Sequence, residues 1–293
     1  MSATGRQQLK PAPFEYHRPT NLAEAVSLAA ELAPLDGLIL AGGQSLVPIM
    51  AFRLACPGHL IDINRVAGLD RLSVENGRLH IGARVRHAAF DRPVTDGPLG
   101  ALLGAVVKHI GHYPIRTRGT FCGSLAHADP AAEWCVLAAA LDAELVAVRN
   151  GGSRTIAAAD FFRGVMATAL MPGELLAAAR LPILPAASRF GFAEFSRRAG
   201  DYALAMALAV VEIDRGVIVA PRIALGAAEA APRRIAVAEA AVAGARPCEA
   251  VFRDAAAKAA AAIEPLEDQQ ADAPYRRQLV AAMVYRALAE ACA

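Results

Sequence analysis

Lysine is nearly absent from this chain: Lys10, Lys108 and Lys258 are its only three, so almost all of the positive charge is arginine. None of the three follows a glycine loop, which argues against a Walker-type ATPase and leaves few candidates for Schiff-base chemistry. Cysteine is sparse as well. Cys56, Cys122, Cys135, Cys248 and Cys292 form no C-x-x-C pair. Scattered thiols of odd number fit a reducing compartment and exclude an iron–sulfur cluster built from this chain alone. Charge is balanced at a formal net of +2, and no stretch interleaves basic with aromatic residues as a nucleic-acid groove does. No uncharged apolar run approaches the roughly 18 to 20 residues that span a bilayer, and residues 1–8 lack the apolar core of a signal peptide. These absences predict a cytoplasmic protein with no nucleic-acid partner and no membrane span.

Apolar residues, by contrast, make up 55% of the 293 positions, enough for two or three compact units without staples. Asn21 and Glu24 form a capping-box pair, and Leu22, Ala25, Val26, Ala29 and Ala33 recur at helical spacing until Pro34 and Gly37. Strands are predicted over 38–41 and 59–63, with a short helix from Pro48 between them, giving a β-α-β unit. Past Asn64 the pattern becomes antiparallel: Leu72 and Val74 face Leu79 and Ile81 across Asn76-Gly77, which favours a type I′ turn. Helices are predicted over 101–109 and from Asp129-Pro130 to about Leu141, the latter with Asp129 as N-cap. A second hairpin follows, with strands over 144–148 and 154–156. Beyond Pro182 and Pro185, strands over 203–213, 217–220 and 222–226 precede alanine-rich helices over 234–243, 249–263 and 274–291. The expected fold class is α+β, with units over 10–64, 65–184 and 187–293.

Chemistry concentrates in two glycine-bearing turns. Gly42-Gly43-Gln44-Ser45 follows an apolar strand, where glycines let several backbone N–H groups point at one place and no Cβ blocks a phosphate. The second, Thr120-Phe121-Cys122-Gly123-Ser124, follows Arg116-Thr117-Arg118-Gly119 and so offers donors beside positive charge. Two such loops could cradle one diphosphate.

Together, residues 41–48 and 115–133 resemble the two flavin-binding signatures of the medium, FAD-carrying subunit of the molybdenum hydroxylases, the group of xanthine dehydrogenase and aerobic carbon monoxide dehydrogenase. The resemblance runs over nearly the whole chain and includes Leu60-Ile61-Asp62-Ile63-Asn64 between the motifs. It implies a two-lobed FAD-binding fold of the PCMH/VAO type, a small β-α-β lobe plus an antiparallel-sheet lobe, followed by a C-terminal sheet with helices. It also implies cofactor contacts at Leu40, Ala41, Gly42, Gly43, Gln44, Ser45, Leu46, Thr117, Thr120, Cys122, Gly123, Ser124, Ala126 and Asp129. By position, Ile110 would lie against the isoalloxazine, Glu133 would reach a polar group of the cofactor, and Leu176 would contact the flavin. The pattern departs from the family at Cys122, where a second glycine is usual, and at Ala193, where xanthine dehydrogenases carry lysine.

The implied function is electron transfer: 2Fe-2S clusters on a small partner subunit would deliver electrons from a large molybdenum-cofactor subunit to FAD, and FAD to an external acceptor. The implied assembly is a dimer of heterotrimers. No side chain of this chain need act as a catalytic acid or base. Two other readings stand beside it: a self-sufficient FAD oxidase of the vanillyl-alcohol oxidase fold, and a non-enzymatic nucleotide-binding scaffold. Simpler sites are open too. His109, His112, His127 and Glu133 could hold a metal, and Cys122 with His127 could form a nucleophile and base. Trp134 and Cys135 read as packing residues. Arg197-Arg198 with Gly200-Asp201-Tyr202 reads as a solvated turn or a flavin border, and Arg233-Arg234 and Arg276-Arg277 as solvated helix ends.

Overall fold

Three short strands open the chain as a parallel sheet. The computed structural model describes residues 10–293, so the reading of residues 1–8 lies outside it. Strand β1 (Glu15–His17), helix α1 (Leu22–Leu32), β2 (Gly37–Leu40), α2 (Leu46–Ala51) and β3 (His59–Asp62) follow in order, and the strands pair as β1-β3-β2. The Asn21 side chain accepts from the Glu24 amide at 2.9 Å, while Glu24 accepts from the Thr20 amide at 2.8 Å, one residue earlier than in a standard capping box. Strand β1 was not foreseen. Its three residues carry no alternation, and only pairing with β3 extends them.

The second sheet is antiparallel, ordered β4-β5-β10-β6-β7. Strands β4 (Leu72–Glu75) and β5 (Arg78–Gly82) have Val74 opposite Leu79 and Leu72 opposite Ile81 as expected, with Asn76 and Gly77 at φ 50° and 72°. Four helices follow: α3 (Gly97–Val106), α4 (Tyr113–Arg116), α5 (Phe121–His127) and α6 (Glu133–Ala140). Next come β6 (Glu144–Arg149), β7 (Gly152–Ala157), α7 (Ala158–Phe161), the small pair β8 (Phe162–Gly164) and β9 (Ala167–Thr168), and β10 (Leu175–Pro182).

Two expectations fail here. The segment from Thr120 is not a loop but the start of α5: the Thr120 hydroxyl accepts from the Gly123 amide at 3.0 Å as N-cap, and Ala128 ends the helix at φ 51°. Its flanking glycines hid that cap. Asp129, in turn, does not start a helix. Its carboxylate accepts from the Ala131 amide at 2.9 Å, closing an Asx turn, and α6 begins only at Glu133. Asp-Pro serves both structures equally well.

The last sheet, β11-β12-β13-β14, comprises Arg189–Phe195, Ala205–Asp214, Val217–Gly226 and Arg233–Arg234, with α8 (Ala236–Val242), α9 (Glu249–Ala261) and α10 (Ala273–Ala291) after it. Strand β12 serves two cores. Met206, Leu208 and Val210 join the core of the first two sheets, while Ala205, Ala207, Ala209 and Val211 pack under the C-terminal helices. Burial on both faces explains its unbroken apolar run. The predicted break at Ala220 is instead a bulge opposite Val211 in one continuous β13. All five cysteines are free, and no helix of the described residues is long and apolar enough to cross a membrane. This is the α+β arrangement expected.

Arg233 and Arg277 are exposed, as expected of solvated helix ends, but their neighbours Arg234 and Arg276 are not. Arg233 and Arg234 form β14, with Arg234 clamped by Asp142 and Glu239. Arg276 is 2% exposed. It donates to the carbonyls of Leu204, Ala227 and Leu266 and to Asp268, tying α10 to the ends of β12 and β13. Arg276→Met strands those acceptors without a donor and is expected to lower the unfolding free energy by about 3 kcal/mol in urea titration; an unchanged midpoint would show that water replaces the guanidinium.

Candidate functional site

The C-terminal ends of β2 and β3 run into the site, as ligand crevices of α/β units do. After Leu40 the chain turns through Gly42 and Gly43, the latter at φ 71°. Among the described residues, the amides of Gly42, Gly43, Gln44, Ser45 and Leu46 donate to no group of the chain. Five orphan donors in one turn form an anion cradle.

That turn meets the second motif directly. A Cβ on Gly42 would strike the Arg118 carbonyl oxygen and stand 2.7 Å from the Gly119 Cα, so only glycine permits the approach. Polar bonds hold the junction: Asn64 donates to the Ala41 carbonyl at 2.7 Å, and Arg86 donates both to Asn64 and to the Arg118 carbonyl. Asp62 orients Asn64 and accepts from Tyr16 on β1.

A cavity of about 600 Å³ opens along this junction, within the range of small-molecule sites. Leu40, Ala41, Gly42, Gly43, Gln44, Ser45 and Leu46 line one side of the seam, and Thr120, Cys122, Gly123, Ser124 and Ala126 line the other. Asp129, Glu133, Ile110 and Leu176 also border it. The bulge in β10 follows Leu176, at Ala177, and the preceding turn is pinned by Glu174, which accepts from Arg154 at 2.8 Å and from the Met171 amide at 2.8 Å. Thr117 does not reach the cavity. It caps α4, and its hydroxyl donates to the Pro114 carbonyl at 2.8 Å.

Glycine-loop reasoning missed several wall residues. His87 is buried, accepts from the Trp134 indole at 2.9 Å, and is pushed down to about 4 by burial and the nearby Arg86 and Arg116 charges. It borders the cavity as a neutral ring. Gly200, Asp201 and Tyr202 also form part of the wall, and Arg197 and Arg198 do not. Trp134 and Cys135 are fully buried packing residues, as expected.

Residues 12–184 match the family described as the FAD binding domain in molybdopterin dehydrogenase, and residues 190–291 match the CO dehydrogenase flavoprotein C-terminal domain. The chain belongs to this flavoprotein family. It is 37% identical over 281 residues to the carbon monoxide dehydrogenase medium chain of Hydrogenophaga pseudoflava, covering 95% of this chain and 96% of that one. It is 36% identical over 284 residues to the 6-hydroxypseudooxynicotine dehydrogenase complex subunit alpha of Paenarthrobacter nicotinovorans, covering 97% and 96%. Its fold superimposes with a TM-score of 0.92 on a chain of the Hydrogenophaga carbon monoxide dehydrogenase structure that lacks the Mo-pyranopterin moiety, at 36% identity over 96% of this chain and 98% of that one. The resemblance drawn from the two motifs is borne out.

The simpler sites do not form in this flavoprotein. His109, His112, His127 and Glu133 do not converge as a metal cluster; the three described residues that do, Glu15, His17 and His59, sit at the ends of β1 and β3 away from the cavity. Burial pushes the Cys122 thiol up to about 12, and it faces the Ile81 carbonyl at 3.5 Å. A thiol so held is no nucleophile. Its inward position also shows how the chain accommodates cysteine where the family has glycine.

The residues present fit a dinucleotide: a cradle of unpaired amides for the diphosphate, and an apolar stretch with Ile110 and Leu176 for a ring. Gly43→Val combines a left-handed backbone with a Cβ 3.1 Å from Val47. It is expected to yield folded protein with little or no FAD, read as the flavin-to-protein absorbance ratio; full flavin content would remove the cradle from the site.

Burial, with Asp129 adding, pushes Glu133 up to about 7. A carboxyl raised on folding costs stability as pH climbs from its unfolded value near 4.5 through about 7. Glu133→Gln is expected to flatten that loss in thermal melts across pH 5 to 8, an interval of about three units around the shift; parallel curves would contradict it.

Proposed function

We propose that the chain holds FAD with its diphosphate on residues 42–46 and 120–124, and passes electrons as the medium subunit of a molybdenum hydroxylase. The observation that carries this reading is the seam where Gly42 meets Arg118 and Gly119, because it places orphan amides of one motif beside Thr120, Gly123 and Ser124 of the other. Bound there, FAD supplies the conversion between single-electron and paired-electron transfer. The protein's share is to bind and orient. Gly42 and Gly43 admit the phosphates, Ile110 and Leu176 offer apolar surface to the ring, and Glu133 presents a polar contact. Asn64 and Arg86 keep the two lobes in register.

The chain holds no cysteine cluster, so electrons reach it from a partner. A small subunit with 2Fe-2S clusters and a large subunit with the molybdenum cofactor fit that need, and the medium-chain name of a close relative supports it over the self-sufficient oxidase. Within this reading, residues 10–64 and 65–184 are the two FAD lobes and residues 187–293 are the C-terminal domain. The complex works in the cytoplasm as a dimer of heterotrimers.

Co-expression with a large molybdenum-cofactor subunit and a small 2Fe-2S subunit tests the reading. The expected product is a complex whose light-scattering mass equals two copies of each chain and which releases FAD, not FMN, on acid treatment. A yellow chain that purifies alone and turns over substrate would instead establish an autonomous oxidase.

A further inference from the structure

Outside the cavity lining lies a buried carboxyl that binding does not use. Glu194, on β11, has a side chain only 4% exposed, and its Oε2 has no hydrogen-bond partner. The His109 Nδ1 stands 3.5 Å from that oxygen, just beyond hydrogen-bond reach. The imidazole is packed edge-on against Phe192, with centroids 4.9 Å apart. Both residues adjoin the wall: Ile110, the next residue after His109, borders the cavity, as does Glu133, whose charge acts on Glu194.

A buried carboxylate without a donor is costly, so at neutral pH the group keeps its proton. Burial, with Glu133 adding, pushes Glu194 up to about 8. Burial pushes His109 down, with Glu290 of α10 opposing. The charged groups acting on this cluster are Glu133 on Glu194, Glu290 on His109 and Asp129 on Glu133. All three are acidic. Neutral acid therefore faces neutral imidazole, and any further negative charge nearby strengthens the hold on the proton.

We propose that Glu194, backed by His109, is a proton-binding group coupled to the flavin, taking up a proton when the reduced ring places negative charge in the cavity. This deepens the FAD reading and rests on it. Below about pH 8 the carboxyl is protonated in both redox states, and reduction runs as FAD + 2 e⁻ + H⁺ → FADH⁻. Above it, reduction adds a second proton: FAD with Glu194 ionised + 2 e⁻ + 2 H⁺ → FADH⁻ with Glu194 protonated. The electrons come from the iron–sulfur partner and the protons from solvent. Linkage is reciprocal, so the protonated carboxyl also favours the reduced flavin. Glu194 is a positioning residue for charge, not a group that touches the cofactor.

The test is the flavin midpoint potential of the assembled holoenzyme, measured by spectroelectrochemistry from below to well above pH 8, with flavin content recorded for each variant. Wild type is expected to steepen above about pH 8 by about one further proton per flavin, beyond any uptake by Glu133, whose own carboxyl is pushed up only to about 7. Glu194→Gln should keep its flavin and lose the steepening. Glu133→Gln should move the steepening to lower pH, because it removes the like charge that holds Glu194 up, and this variant decides the matter if the first does not fold. A flavin-loaded Glu194→Gln complex with the wild-type profile, or a Glu133→Gln complex with an unmoved break, overturns the proposal. Absence of FAD from the wild-type complex would instead overturn the reading beneath it.

Discussion

The site depends on how closely two backbones approach. Gly42 rests on the peptide between Arg118 and Gly119, and nothing larger than hydrogen fits on its Cα. Each motif alone is ordinary: a tight turn after a strand, and a short helix with a threonine cap. Brought into contact, they become one seam lined with unpaired amides. The polar chain Tyr16, Asp62, Asn64 and Arg86 reaches the same seam, where the Arg86 guanidinium donates to Asn64 on one side and to the Arg118 carbonyl on the other. Asp62 at its centre is buried and would be costly to leave unpaired, so the network penalises slippage of the first sheet against the second motif.

A second dependency runs through the C-terminal sheet. Strand β12 gives alternate residues to two cores, and helix α6 presses so closely on β13 that a side chain at Gly226 would collide with Val136. The sheet is therefore not an appendage. Its first two strands are joined by the turn that brings Gly200, Asp201 and Tyr202 to the cavity, and β11 carries Glu194, which feels the charge of the wall residue Glu133. Cofactor site and C-terminal packing are mechanically continuous.

Much of this was legible in the residues. The Asn76-Gly77 hairpin, the capped helix after Asn21 and the first glycine turn have local causes that lie within a few positions of one another, and they fold as read. What escaped notice depends on distant partners. Strand β1 exists because β3 lies beside it, and Arg276 is buried because carbonyls at Leu204 and Ala227 converge on it from strands far away in sequence. The misplaced start of α6 has a different origin: Asp129 and Pro130 suit an Asx turn as well as a helix cap, and only the left-handed Ala128 before them settles which forms. Of the wall residues, those on the two glycine motifs were evident, whereas Thr117 looked suitable by type yet spends its hydroxyl on a local carbonyl. His87 gave no signal, since a lone histidine acquires meaning only from Trp134 and Gly119 packed around it.

Cys122 sits at the heart of this arrangement in a form that resists oxidation. A reduced flavin exposed to oxygen makes peroxide, and an accessible thiolate lining the same cavity would be converted to sulfenic acid. Cys122 is 2% exposed, and burial pushes its thiol up to about 12, which disfavours the thiolate. The chain can therefore carry cysteine beside a redox cofactor without making that cofactor the agent of its own inactivation.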